Sequence, residues 1–370
     1  MSLDQLNLNQ LNKSLPKEII SLFNLIESFG FLPAIVGGFS RNYLMSGEIS
    51  KDIDIELKPT SDLCTKELYK KIENEYKTEN LSFNILRISL GTFEIELSLP
   101  RKEKFDGSIG HSNFQVEFIK ADDYKEGAAR RDFTINAIYF AYEKSKFSLV
   151  DPFGGVLDLK NKILYPCCEK SFDKDPVRFL RAFRFKIKYD LTLSKELMAL
   201  ISKRKNEYKT IYTSFYLKQE AIKSEKPITF LFSVLDLHLG EDITIYDGLF
   251  KDNFEAHLRA CPFLAKDVKV DLCKRLSIST KNCLFIFEKT DLKKISFENH
   301  KTTLNTLKII ENLNLTDEYL EIVLKNSFHD FDVDDFRKFK SSEYKLTAKD
   351  KQSPSAHYQF IILQNRLGHV

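Results

Sequence analysis

Six residues, from Asp52 to Leu57, alternate strictly between acidic and apolar side chains. This alternation predicts a β-strand that packs its apolar residues into a core and presents its acidic residues on the opposite face. A short apolar run at 34–36 precedes it and ends at Gly37-Gly38. That pattern predicts a second strand followed by a sharp turn. The N-terminal part of the chain must therefore contain a sheet.

Helices are predicted to accompany these strands. Residues 17–30 place Ile19, Ile20, Leu22, Phe23 and Ile26 on one helical stripe. We further predict helices at 39–46, at 61–77 and from Arg131, strands at 83–89 and 92–99, and a mobile loop at 101–121. Strands interleaved with helices predict an α+β fold with a mixed sheet.

The character of the sequence changes near 150–170, which we interpret as the main domain boundary. Residues 200–370 have helical patterning, except for a possible extended stretch near 242–247. A chain of 370 residues is longer than one hydrophobic core usually supports, so two or more modules are expected.

Composition excludes several classes of protein. No window approaches 18 uncharged apolar residues, so we expect no membrane span. The first residues lack a basic patch followed by an apolar run, so we expect no signal peptide and a cytoplasmic location. The six cysteines form no C-x-x-C pair and are expected to be reduced structural thiols. The seven histidines are scattered and indicate no zinc site.

Asp52 and Asp54 are predicted to lie side by side on one strand face. Two adjacent carboxylates repel each other unless a cation lies between them, and two Mg²⁺ ions would suit this pair. A solvated strand face is the alternative, and Glu56 on the same face is expected to be such a solvated residue. Of the two acids on the later strand, Glu94 and Glu96, we prefer Glu96 as a third carboxylate.

The turn before this strand has the chemistry of a phosphate site. Gly37 and Gly38 allow the backbone to approach a phosphate, and the following helix offers free N–H groups. Arg41 would add a forked, permanently charged contact to a triphosphate. An ordinary strand-to-helix turn is the alternative for these residues alone. Together with the paired acids, the turn favours triphosphate chemistry.

Four motifs resemble the class II CCA-adding enzyme and bacterial poly(A) polymerase family, in the order found in that family. They are GGFSR at 37–41 with KDID at 51–54, RRDFTINA at 130–137, DPFGGVLDL at 151–159, and FDKDPVRFLRAFRF at 172–185. The resemblance covers roughly residues 31–190, and the rest of the chain matches only in its helical character.

The resemblance implies a nucleotidyltransferase head at 1–150, a helical neck at 151–215 that selects the base, and a helical body and tail at 216–370 that bind tRNA. It implies that Asp52 and Asp54 bind two Mg²⁺ ions, with Glu96 as the later-strand carboxylate. The nucleotide-binding residues it implies in the head are Arg131, Asp132 and Asn136. The reaction would join CTP or ATP to the tRNA 3′-hydroxyl and release pyrophosphate. No membrane and no obligate protein partner are implied.

Asp175 and Arg178 lie three apart on the predicted neck helix and could face one ligand. Cytosine and adenine both present an amino donor beside a ring-nitrogen acceptor, which a carboxylate and a guanidinium complement. Uracil and guanine reverse both positions, so these two residues would select CTP and ATP without a template. The alternative is that Asp175-Pro176 is simply a helix N-cap.

The stretch from 160 to 188 has nine Lys and Arg residues against three acids. It includes Arg181 and Arg184, which we predict to bind the nucleotide together with Arg178, and the patch suits a triphosphate or an RNA acceptor stem. A solvated basic helix face is the alternative. The interleaved Phe172, Phe179, Phe183 and Phe185 are expected in the core rather than as base-stacking platforms.

Three positions depart from the family pattern: Asn42 and Gly127 replace acids of the family, and Lys174 replaces a glutamate. None removes a metal ligand, but each bears on nucleotide preference and order of addition. CCA addition, CC-only or A-only addition, and poly(A) synthesis therefore stay open. A non-catalytic RNA-binding relic is disfavoured because Gly37, Gly38, Asp52 and Asp54 are all present, and a small-molecule transferase is disfavoured by the neck motif.

Overall fold

The computed structural model describes residues 8–59, 65–105, 114–119, 124–211, 214–235, 247, 254–261, 264–280 and 322. The chain divides into two compact units, Met1–Tyr212 and Thr213–Val370. The subdivision of the first unit into head and neck near residue 150 stays a prediction. The candidate site lies in the first unit.

The first unit contains eleven described strands. They are β1 (Phe31–Val36), β2 (Asp52–Pro59), β3 (Lys77–Leu81), β4 (Ile85–Leu90), β5 (Phe93–Ser98), β6 (Arg101–Phe105), β7 (Phe114–Phe118), β8 (Tyr139–Glu143), β9 (Lys146–Val150), β10 (Ile163–Leu164) and β11 (Thr192–Leu193). Seven of them form one sheet in the order β3-β4-β5-β2-β1-β8-β9. Within this sheet β2 and β5 are parallel and the other neighbours are antiparallel.

Helices of the first unit precede, follow and connect these strands. They are α1 (Leu8–Ser14), α2 (Lys17–Ser28), α3 (Gly38–Ser46), α4 (Thr65–Glu75), α5 (Tyr124–Ala128), α6 (Gly155–Lys160), α7 (Glu169–Phe172), α8 (Pro176–Lys188) and α9 (Lys195–Ile211). The α+β fold with a mixed sheet is therefore confirmed.

The core follows the predicted periodicities. Helix α2 buries Ile19, Leu22, Phe23 and Ile26, the stripe expected from its spacing, while Ile20 is only partly buried. Strand β2 buries its apolar residues, which places the acids at 52 and 54 on the opposite, solvent-accessible face. Burial of one apolar face is what holds this register, because a slip of one residue would expose every apolar side chain.

The helix predicted from Arg131 is wrong. The chain is extended at Phe133, makes one 3₁₀ turn over Thr134–Asn136, and then forms the hairpin of β8 and β9. Lys144 and Ser145 both adopt positive φ between these strands, the geometry of a tight two-residue hairpin turn. The aromatic-rich run at 139–142 was the signal for a buried strand.

The mobile loop predicted at 101–121 is also wrong in its described parts. Strands β6 and β7 pair in antiparallel register as a separate two-stranded sheet. The sheet of β6 and β7 is not part of the main sheet, so it needs few apolar residues. Lys102 of β6 pairs with Glu126 of α5. Strand β3, which pairs with β4, was not predicted.

The described residues of the second unit are mainly helical, as expected. Its helices are α10 (Ser214–Lys223), α11 (Pro227–Leu235), α12 (Phe254–Ala260) and α13 (Lys266–Arg275). The extended stretch predicted near 242–247 lies almost entirely outside the described residues. Within the described part of the chain, no helix combines the length and apolar character needed to cross a bilayer.

Candidate active site at the end of strand β1

The turn after β1 brings a glycine directly against the acid of the next strand. Val36 lies opposite Asp54 in the β1–β2 register, and Gly37 follows with φ +86° and ψ −134°. A Cβ atom on Gly37 would lie 2.8 Å from Asp54 Oδ2. Both the backbone conformation and the close approach therefore require glycine here. Helix α3 begins at Gly38, so its free N–H groups start beside this carboxylate.

Four carboxylates line one face of two adjacent strands. In the parallel β2–β5 register, Asp52 lies beside Glu94 and Asp54 beside Glu96. Asp52 and Asp54 are both exposed. Desolvation by the surrounding protein nevertheless raises the pKa of Asp54. Repulsion from Glu96 and Asp52 raises this pKa further, while Arg131 and Arg130 act to lower it. A nearby cation would relieve this repulsion.

Glu96 is already paired within the protein. Arg87 of β4 donates to Glu96 Oε1 from Nε at 3.1 Å and from Nη2 at 2.8 Å. Arg87 also reaches Glu79 at 3.1 Å. The charge of Glu96 is therefore largely balanced on the protein itself, and its assignment as a third metal carboxylate stays a prediction.

The donor set fits a hard divalent cation that keeps most of its waters. Across the described ranges, no three acidic, imidazole or thiol groups approach closely enough to hold an ion together. Asp52 and Asp54 would thus supply one or two carboxylates, and water and substrate oxygens would complete the shell. Mg²⁺ is commonly bound in this way.

Glu56, expected to be solvated, is instead buried at 1% exposure. It shares the strand face of Asp52 and Asp54, but helix α5 covers this end of β2, with Gly127 against the Glu56 carboxylate. The predicted alternation of β2 is correct. The sequence alone could not show that α5 covers the part of this face that carries Glu56.

Arg41 is buried and tied to the protein by side-chain contacts. Its Nη1 donates to Asn136 Oδ1 at 2.5 Å, its Nη2 donates to Tyr189 Oη at 2.8 Å, and Asn42 Oδ1 accepts from its Nε and Nη2. The guanidinium also lies 5.0 Å from the centre of the Phe185 ring. Arg41 therefore links α3 to α8, and its direct contact with a triphosphate stays a prediction.

Asp132 and Asn136 meet as predicted, although a 3₁₀ turn rather than an α-helix brings them together. Asn136 Nδ2 donates to Asp132 Oδ1 at 2.9 Å, and Arg181 of α8 forms a pair with Asp132 Oδ2 at 2.6 Å. Burial alone would raise the pKa of Asp132, but Arg181, Asn136 and Arg178 together hold it well below the ordinary range. Asp132 therefore stays ionised and anchors α8 to this motif.

Asp175 is the N-cap of α8, with Pro176 at the first helical position. Its Oδ1 accepts from the Val177 backbone N–H at 2.9 Å, while its Oδ2 lies 3.6 Å from Arg178 Nε. Arg178 also donates to the backbone carbonyl of Arg130 at 2.5 Å. The capping alternative is thus real, but it uses one carboxylate oxygen and leaves the other facing Arg178.

The predicted basic patch is only partly a solvated face. Arg178 and Arg184 are buried, and Arg184 lies 4.5 Å from the centre of the Phe185 ring. Phe172, Phe179 and Phe185 are in the core, as expected, whereas Phe183 is only partly buried. Of the cysteines, Cys167, Cys168, Cys261 and Cys273 are free thiols.

Comparison with protein families identifies the part of the chain that carries this site. Residues 34–165 match the poly A polymerase head domain family. This range contains the glycine turn, the acids of β2 and β5, and the motif at 130–137. The resemblance to class II nucleotidyltransferases that the motifs indicated is confirmed.

Curated relatives of the head domain include three kinds of enzyme. An A-adding tRNA nucleotidyltransferase of Aquifex aeolicus is 30% identical over 173 residues, which is 46% of this chain and 20% of that protein. A multifunctional CCA protein of Stenotrophomonas maltophilia is 34% identical over 163 residues, 42% of this chain and 39% of that protein. Poly(A) polymerase I of Salmonella typhi is 27% identical over 189 residues, 50% of this chain and 40% of that protein. The match thus spans well under half of each relative.

Solved structures share the fold over almost the whole chain. A CCA-adding enzyme in complex with ATP matches with a TM-score of 0.65 at 20% identity, covering 96% of this chain and 91% of that one. A Thermotoga maritima CCA-adding enzyme in complex with tRNA matches with a TM-score of 0.63 at 20% identity, covering 99% and 95%. At this identity the likeness establishes the fold.

Sequence reasoning missed three residues that contact the head-domain site: Arg87, Tyr139 and Tyr189. Arg87 balances Glu96, Tyr139 bonds the buried Glu56, and Tyr189 binds Arg41 from the end of α8. Arg87 had a local signal, since it pairs with Glu96 across the β4–β5 hairpin. Tyr189 had none, because it lies 148 residues from Arg41 in the sequence.

Proposed function

We propose that this chain adds nucleotides without a template to the 3′ end of tRNA, completing CCA from CTP and ATP. The observation that carries the proposal is the exposed pair Asp52 and Asp54, with Asp54 beside the Gly37 turn, inside the range that matches the poly A polymerase head domain family. Paired carboxylates beside a helix start are suited to a nucleoside triphosphate with its divalent cations. A cytoplasmic location stays a prediction from the sequence.

The residues of the chain would divide the work as follows. Asp52 and Asp54 would hold the divalent cations, which would supply Lewis-acid stabilisation of the charge that develops during transfer. Gly37 and Gly38 let the backbone N–H groups at the start of α3 approach the triphosphate. Asp132, fixed by Asn136 and Arg181, keeps the head motif and α8 in one arrangement.

Base choice would depend on Asp175 and Arg178. One oxygen of Asp175 caps α8, so its side chain is held in place before any nucleotide binds. The other oxygen faces Arg178 at 3.6 Å, and a carboxylate is an acceptor suited to the exocyclic amino group of cytosine or adenine. Bonds to the Arg130 and Arg131 carbonyls hold the Arg178 guanidinium in place, and a guanidinium is a donor suited to the ring nitrogen of either base.

The proposal is tested with purified protein, Mg²⁺ and three tRNA transcripts that end before CCA, after C and after CC. Each transcript receives CTP, ATP or both, and the products are sized on a gel. We expect the first transcript to grow by three nucleotides and stop when both nucleotides are present, and UTP to be ignored. No extension of any transcript would overturn the proposal.

Two relatives define the other outcomes of this test. Growth restricted to the last A would match the A-adding relative of Aquifex aeolicus, and a long ATP-only ladder would match poly(A) polymerase I. Because Asp175 and Arg178 would accept both C and A, their geometry alone does not separate these activities. The length and composition of the product distinguish the three activities.

Replacing Arg178 should blur base choice. In Arg178→Ala we expect the preference for CTP over UTP, measured as the ratio of kcat/KM values, to fall by about tenfold to a hundredfold, since the base loses a charged donor worth about 1.5–3 kcal/mol. The variant also loses the bonds to the carbonyls of residues 130 and 131, so its melting temperature is measured in parallel.

Arg204→Ala is the matched control for this variant. Arg204 also holds a carboxylate through two bonds, from Nε and Nη2 to Asp173 at 2.9 Å each, but it lies on α9. We expect Arg204→Ala to lower the melting temperature without changing discrimination between CTP and UTP. Unchanged discrimination in a folded Arg178→Ala protein would favour a purely structural role for Arg178.

A further inference from the structure

Glu56 is a buried carboxylate that the proposed chemistry does not use. It lies two residues from Asp54 on the same face of β2, yet it is 1% exposed. Helix α5 passes over it at Gly127, where a Cβ atom would lie 3.0 Å from Glu56 Oε1. A buried charge is costly unless it is paired, so the partners of this carboxylate indicate what it does.

Those partners belong to the head motif at 130–137 and the strand after it. Tyr139 Oη donates to Glu56 Oε1 at 3.2 Å, and Arg130 Nη2 lies 3.6 Å from Glu56 Oε2, which has no hydrogen bond to any described residue. The Arg131 guanidinium lies 5.9 Å from the centre of the Tyr139 ring. Glu56 therefore pairs with Arg130 and lies close enough to Arg131, across Tyr139, to favour the charge of that guanidinium.

Arg131 is the arginine that also lies near the Asp54 carboxylate. The position that a Cβ atom on Gly37 would occupy lies 3.4 Å from Arg131 Nη1 and 2.8 Å from Asp54 Oδ2. The guanidinium and the carboxylate therefore both approach the same point beside the turn. Burial opposes its charge, but Tyr139, Glu56 and Asp54 together raise the pKa of Arg131 above its ordinary value. One guanidinium thus lies between two carboxylates, one buried and one exposed.

We propose that Glu56 is a positioning residue that holds Arg131 and Arg130 back from Asp54, so that Asp54 is available to a divalent cation. Without the negative charge at Glu56, Asp54 would be the remaining carboxylate for Arg131, and an Arg131–Asp54 pair would compete with cation binding. The inference rests on the proposed metal role of Asp54, but it concerns a residue outside the ligand set.

The test measures Mn²⁺ binding by electron paramagnetic resonance, with full-length protein and neither nucleotide nor RNA present. Glu56→Gln keeps the shape of the side chain and removes its charge. We expect its Mn²⁺ affinity to fall by about tenfold, the size typical of lost support behind a metal ligand. A residue with only a structural role would lower the melting temperature and leave the Mn²⁺ affinity of the folded protein unchanged.

A second variant restores the charge from another position. Glu56→Ala removes the carboxylate, and adding Gly127→Asp places a new one in the space that Glu56 leaves, because position 127 adjoins Glu56 Oε1. Gly127 does not have a positive φ, so aspartate is tolerated by the backbone there. We expect Glu56→Ala to bind Mn²⁺ about tenfold more weakly and the double variant to recover most of that loss.

The outcomes separate this inference from the proposed function. Wild-type protein that binds no Mn²⁺ in an Asp54-dependent manner would refute the metal site itself. Wild-type binding with equal affinity in folded Glu56→Gln would overturn only the role of Glu56. A folded double variant that does not regain Mn²⁺ affinity would also overturn the role of Glu56. This outcome can be measured even if Glu56→Gln is too unstable to study.

Discussion

Asp54→Asn is expected to abolish nucleotide addition while leaving the fold intact. The substitution keeps the shape of the side chain and removes the charge that faces Asp52 and Glu96. Loss of the residues that support a ligand typically costs tenfold to a hundredfold, so loss of a ligand itself should lower kcat by at least about a thousandfold. The measurement is single-turnover extension of a tRNA transcript with CTP and ATP.

The same variant should be at least as stable as the wild type when no metal is present. The pKa of Asp54 is raised in the folded state, so folding binds its proton more tightly and the ionised group opposes folding at neutral pH. Asparagine carries no such charge. The melting temperature of Asp54→Asn should therefore equal or exceed that of the wild type at pH 7, and the difference should shrink as the pH falls and Asp54 becomes protonated.

Asp190→Asn is the control for this comparison. Asp190 is an exposed carboxylate that pairs with Lys162 at 2.8 Å, and its positive φ suits asparagine. We expect this variant to extend tRNA at the wild-type rate. Wild-type turnover by a folded Asp54→Asn protein would refute the metal assignment.

Periodicity predicted the elements whose packing it determines. The stripe of α2 and the alternation of β2 were both read correctly, because each pattern reflects burial of one face. The periodicity did not predict the structure of residues 131–150, where aromatic and small residues without strict alternation form the hairpin of β8 and β9. Strand β8 is buried along most of its length, so its sequence has no polar face to reveal the period.

Motif spacing predicted which residues share the candidate site, but not how they contact each other. Asp132 and Asn136 were placed together through an α-helix, and they meet through a 3₁₀ turn. Arg41 was expected to contact a triphosphate, and it is buried and hydrogen-bonded to Tyr189, which follows α8. Contacts between elements so far apart in sequence depend on tertiary packing, which no local pattern contains.

The burial of Glu56 illustrates the same limit at one position. Asp52, Asp54 and Glu56 follow one another at every second residue, so the sequence treats them alike. Only the passage of α5 over the strand separates two exposed acids from one buried acid. Absence of a side chain at Gly127 is what leaves room for this arrangement, and the meaning of that glycine was visible only in the structure.

Gly37→Ala is expected to lower kcat by about a hundredfold, the effect of misplacing a catalytic group by roughly 1 Å. A Cβ atom would lie 2.8 Å from Asp54 Oδ2, closer than such contacts occur, so the Asp54 carboxylate must move away from the start of α3. The backbone conformation, with φ +86° and ψ −134°, adds a strain of about 1–3 kcal/mol for alanine. Extension rates and melting temperatures are measured together.

Gly47→Ala separates these two effects because it shares only one of them. Gly47 caps the other end of the same helix with φ +74°, and a Cβ atom there would meet nothing within 4 Å. We expect this control to be less stable by about 1 kcal/mol and to extend tRNA normally. If both alanine variants lost activity in proportion to their loss of stability, backbone strain in α3 would explain the result. A loss of activity confined to Gly37→Ala shows that the position of the Asp54 carboxylate sets the rate.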